Sequence, residues 1–81
     1  MTLPARNTAN GDAASNTALR IARNVQRLRG ERHMSLAILA LRTGWPLARI
    51  EAIEAGAEDF LLDDIDRLAE ALLVSPAQLF A

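Results

Sequence analysis

The chain has 81 residues, 51 % of them hydrophobic, and a net charge of −1. That is the length of one domain, with enough apolar side chains for a small core and little stability to spare. The absence of Cys excludes disulfides and Cys-ligated zinc, and a single His argues against a protein-only transition-metal site, so no metal or other cofactor is expected.

The N-terminus lacks the apolar run of a signal peptide, and no later run approaches a membrane span. The expectation is a cytoplasmic chain with no membrane contact. The small net charge hides a polarity. Residues 1–50 carry eight Arg against Asp12 and Glu31, a net +6, whereas residues 51–81 carry Arg67 against eight acids, a net −7. No Lys is present, and Arg presents a planar fork suited to phosphate or carboxylate. Two readings follow: Arg–carboxylate pairs that join the two halves, or a phosphate-binding face.

Residues 1–16 are rich in Asn, Ala and Thr, contain Pro4 and Gly11, and show no apolar periodicity. They read as a disordered tail, with the folded domain over 17–81; Arg6 would make the tail an arm only if nucleic acid were bound. Helix one is predicted from about Thr17 to Arg32, because Ala18, Ile21, Ala22, Val25 and Leu28 recur at steps of three and four. Arg20, Arg23 and Arg27 fall off that stripe and should face water. Gly30 weakens the last turn by about 1 kcal/mol relative to Ala, with no sequence reason for its presence. His33 stands where a left-handed residue is needed.

Helices two and three occupy the stretch from Ser35 to Gly56. Ser35 is a good N-cap, and Leu36, Leu39 and Ala40 form one apolar face. Gly44 suits the left-handed end of that helix, and Pro46 fits the first turn of the next. Leu47, Ile50 and Ile53 give helix three its own apolar face, and Gly56 can end it. Two short helices bent around a Gly make a helix-turn-helix unit, whose second helix can enter a DNA major groove. A short acidic loop follows, then helix four from about Leu61 to Leu73. Its expected inner face is Leu62, Ile65, Leu68, Ala69 and Leu72, and Asp63 and Asp64 favour the positive end of its dipole. Ser75-Pro76-Ala77-Gln78 reads as a capping box opening a last short helix, from which Leu79 and Phe80 plug the core. No strand signal is present, so the fold class is all-α with five helices.

From about Ile21 to Phe80 the chain resembles the lambda-repressor/Cro-like (XRE) helix-turn-helix family. The resemblance rests on Leu28-Arg29, Ser35, Leu39-Ala40, Gly44, Ile50, Ile53, Glu54, Gly56, Leu72, Val74-Ser75-Pro76 and Leu79-Phe80, in order and at family spacing. It implies a five-helix DNA-binding domain that regulates transcription as a homodimer on double-stranded DNA. It implies a structural ion pair between Arg29 and Glu54, which locks helix one to the end of helix three. It places Leu47, Ala48, Glu51 and Ala52 at base edges, and makes Arg20, Arg23, Ser35, Arg42 and Arg49 candidates for phosphate contact.

The residues of helix three depart from the usual reading chemistry. Base edges are read mainly by Arg, Gln and Asn, whereas Leu and Ala reach only a thymine methyl and Glu accepts only from cytosine. Glu58 and Asp59 would also repel phosphates. The alternative is therefore a protein-interaction or dimerisation module on the same fold, with Leu36, Trp45, Leu47, Ala52 and Ala55 as an apolar partner patch. Trp45 has a structural reading too, as a staple over the turn. No nucleophile–base pair or phosphate-cradling loop points to an enzyme.

Overall fold

The computed structural model describes the backbone from residue 3 to residue 81 and the side chains from Asn16 onward. Four α-helices and a closing 3-10 helix make up the described residues: α1 Leu3–Glu31, α2 Leu36–Thr43, α3 Leu47–Glu54, α4 Leu62–Leu72 and the 3-10 helix Pro76–Phe80. The class is all-α as expected, but the fifth element is 3-10 rather than α. Helix α1 begins well before Thr17, because a helical backbone need not carry the buried stripe used to find its start; burial among the described side chains begins at Ala18. The tail expected over 1–16, Arg6 included, lies outside the described side chains except for Asn16. Among the described residues no helix is long and apolar enough to cross a membrane.

One core holds the elements together. Ile21, Val25 and Leu28 from α1 meet Leu39, Ile50, Ile53, Leu68, Leu72 and Leu79, all fully buried. Three expected core residues, Leu47, Leu62 and Phe80, are outside it. Leu62 shares the stripe of Ile65 and Leu72 but opens α4 before any element faces it, and it is 85 % exposed. It lines an open apolar groove of about 380 Å³ with Phe60, Leu61, Phe80 and the start of the α1 stripe. Phe80 is 44 % exposed while Leu79 is buried, because neighbouring residues of a 3-10 helix point about 120° apart and only one can face inward.

Helix ends are closed by the residues the sequence offers. The Ser35 hydroxyl accepts the Ile38 N–H at 3.1 Å, and Gly44 ends α2 in the left-handed region at φ 78°. Pro46 stands at the N-cap of α3, one place earlier than expected, with extended ψ. At the start of α4, Asp64 Oδ2 accepts the Leu61 N–H at 3.1 Å, and Gln78 Oε1 does the same for Ser75 N–H. His33 adopts the left-handed conformation, and so does Leu73, which sequence reasoning did not expect of a Leu. Asn24 is the buried polar anchor of the C-terminus: its amide donates to the carbonyls of Leu79 at 2.7 Å and Ala81 at 3.1 Å.

Candidate nucleic-acid interface

Helices α2 and α3 and the turn between them are positioned by three sets of contacts. Thr43 is buried, with Oγ1 2.9 and 3.0 Å from the carbonyls of Leu39 and Ala40, and it accepts the Trp45 N–H at 3.3 Å. Arg67 of α4 donates to the Thr43 carbonyl at 3.3 Å, satisfying an acceptor left over at the end of α2. Ile50 and Ile53 are fully buried and fix the rotation of α3 about its axis.

The far end of α3 is tied to α1. Arg29 Nε lies 2.6 Å and Nη2 3.0 Å from the two Glu54 oxygens, and Arg29 Nη1 donates to the Met34 carbonyl at 2.9 Å. The Glu54 bond and charge raise the Arg29 pKa above its ordinary value against the opposing effect of burial. Gln26 adds a bond to the Glu54 carbonyl at 2.7 Å. Gly56, at φ 73°, lets α1 come close: a Cβ there would lie 2.6 Å from Leu19 Cδ2.

With that rotation set, Leu47, Ala48, Glu51 and Ala55 face out, Ala52 is half-buried, and Leu47 keeps 45 % of its surface exposed. Leu47 therefore leaves the inner face on which the periodicity had placed it with Ile50 and Ile53. It is the first residue of α3, ahead of the point where the helix meets the core. The Glu51 carboxylate makes no ion pair or hydrogen bond with a described residue, whereas Glu54 is taken by Arg29.

Arg49 takes a different place from the one the resemblance implied. Its guanidinium carbon lies 4.1 Å from the centre of the Trp45 ring, Nε is 3.2 Å from Glu58, and Nη2 is 3.0 Å from Asp64. The only cation of α3 is thus spent on the turn, the acidic loop and the cap of α4. The Leu61 N–H, and then Arg49, hold the Asp64 carboxyl below its ordinary pKa.

Of the other phosphate candidates, Arg20, Arg23, Ser35 and Arg42 are exposed, and the three Arg form no ion pair with a described residue. Arg20 borders a depression with Asn16, Thr17 and Phe80, on the side of α1 that meets the C-terminus. Arg42 stands at the end of α2, beside Arg67 and Glu70. The apolar patch is narrower than expected, since Leu36 and Trp45 pack against the core and leave Leu47 and Ala55 outward. Ile38 and Leu41 of α2 are exposed as well and were missed; both fall off the Leu39–Ala40 stripe, which is the signal that would have found them.

The geometry agrees with what the chain is similar to. Residues 24–81 match the family model described as Cro/C1-type HTH DNA-binding domain. No protein of curated function matches. Among solved structures, the restriction-modification controller protein C.AhdI from Aeromonas hydrophila is 27 % identical with a TM-score of 0.74, over 78 % of this chain and 96 % of that one. The hypothetical transcription factor NHTF from Neisseria is 26 % identical, with a TM-score of 0.75 over 79 % of this chain and 74 % of that one. An HTH_3 family transcriptional regulator from Vibrio cholerae is 27 % identical with a TM-score of 0.78; the match covers 83 % of this chain and 38 % of that one.

Proposed function

Because the chain belongs to the Cro/C1-type helix-turn-helix DNA-binding family, we propose that it acts as a homodimer that sets one α3 into each half of a paired site on double-stranded DNA. It is a DNA-binding transcriptional regulator of the XRE type. The observation that carries the reading is the presentation of α3: Ile50 and Ile53 anchor it while Leu47, Ala48 and Glu51 stand exposed on its outer side. Leu47, Ala48, Glu51 and the edge of Ala52 meet the bases. Phosphate contacts come from Arg23 and Arg42, the exposed guanidiniums that, among the described residues, neither pair with an acid, nor bond to Thr43 as Arg67 does, nor border the C-terminus as Arg20 does. Ser35 adds one more: its oxygen is used in capping Ile38, which leaves the hydroxyl proton for a phosphate oxygen.

Titration of a randomised duplex pool at low salt, followed by sedimentation of the bound species, tests this. A selected site with two related halves, bound by two copies, is expected. Retention of no duplex under conditions where a control repressor binds would remove the DNA reading. A second reading, docking of a protein, is favoured by the exposure of Ile38, Leu41 and Leu47 around the same turn. In that case Leu41→Ser would abolish the partner while adding no charge beside Arg42 to change DNA affinity.

A further inference from the structure

No side chain on the exposed part of α3 offers a hydrogen-bond donor to a base. Leu47 and Ala48 are apolar, an ionised Glu51 only accepts, and the guanidinium of Arg49 is held by Glu58 and Asp64 over the Trp45 ring. In the major groove, guanine presents two acceptors, N7 and O6, and finds no match on such a surface. Adenine presents a donor beside an acceptor, and its N7 would repel a carboxylate oxygen. Cytosine presents the N4 donor, and thymine presents a methyl group that suits Leu or Ala. The Glu51 carboxylate is also unengaged by any described side chain, so binding a base breaks no contact described here.

We propose that each α3 reads pyrimidines: the N4 amine of a cytosine against Glu51, and thymine methyls against Leu47 and Ala48. This rests on the DNA-binding reading above and adds the identity of the bases. Glu51 is a specificity-determining residue that lowers affinity for DNA in general, because its charge faces phosphates, and restores it at one base pair only.

The test uses the full chain and the best duplex from the randomised pool. Replacing a contacted thymine by deoxyuridine removes only the methyl, and should weaken binding about fourfold, the factor equivalent to one buried methyl group. Replacing the guanine opposite the read cytosine by 7-deazaguanine should have no effect. Glu51→Gln should shift the preference at its position from cytosine to adenine by roughly tenfold, since a carboxamide matches N6 and N7 together. Glu51→Ala should bind unrelated duplexes more tightly and lose discrimination there. Both variants should melt like the parent, because the Glu51 side chain makes no hydrogen bond or ion pair with a described residue. Equal affinity for thymine and deoxyuridine sites, or a loss with 7-deazaguanine, would overturn the pyrimidine code while leaving DNA binding intact. Failure to bind any duplex would overturn both.

Discussion

Arg29 acts as a fastener, in the ion pair with Glu54 that the resemblance implied. Its guanidinium is shared between Glu54 and the Met34 carbonyl, so three acceptors lose their partner if it is removed. Breaking one side of a fully buried pair costs about 3–5 kcal/mol. The residual exposure here, 24 % and 11 %, brings the expected loss for Arg29→Ala to roughly 2–3 kcal/mol by urea unfolding. Binding by the fraction still folded should be close to that of the parent. Leu73 shows the opposite case. It closes α4 at φ 63° with 67 % of its surface in water, a conformation an L side chain resists and a burial that offsets little. Leu73→Gly should stabilise the domain by about 1 kcal/mol, read as a higher urea midpoint at unchanged slope.

At the scale of elements, the unit that matters is the tie between the turn and α4. Trp45, Arg49, Glu58 and Asp64 join the turn, α3, the acidic loop and the cap of α4 through one guanidinium. Asp64 has a depressed pKa in the fold, so its contribution to stability is full above the unfolded carboxyl pKa and is lost as pH falls through the folded one. Asp64→Asn should therefore be less stable than the parent at neutral pH, with the gap closing as the solution is acidified; parallel pH profiles from chemical unfolding would contradict the tie. This tie also shows where sequence reasoning stops. The core and the helices that carry it were legible, because Ile21, Val25, Leu28, Leu39, Ile50, Ile53, Leu68 and Leu72 recur at helical steps, whereas the start of α1 at Leu3 was not, since no apolar stripe marks it. So were the caps at Ser35 and Gly44, which act through neighbours in the chain. The fate of Arg49 was not, since Glu58 and Asp64 are nine and fifteen residues away and only the folded loop brings them to it. Asn24 escaped for the same reason, its partners lying 55 and 57 residues on.

At the scale of the molecule, much of the charge split along the chain is taken up, among the described residues, by internal ties. Arg29 and Arg49 from the basic half are consumed by Glu54, Glu58 and Asp64 from the acidic half, and Arg27 and Arg32 lie against Glu31. Among the described residues, once Arg20 is set aside for its place beside Phe80 and Arg67 for its bond to the Thr43 carbonyl, Arg23 and Arg42 are left for the proposed DNA contact in each copy. Phosphate neutralisation releases counterions, so a dimer using four such contacts should show a slope of log affinity against log salt of roughly −3.6. That is shallow for a regulator, and Glu51 on the reading surface makes it shallower on unrelated sequences. Arg42→Ala removes two contacts per dimer and should reduce the slope by about 2 while leaving the preferred sequence unchanged, because a phosphate contact positions without specifying. Arg20→Ala should leave the slope where it was. Anisotropy titrations between low and physiological salt read both numbers, and a steep slope insensitive to Arg42 would place the phosphate-binding surface elsewhere on the domain.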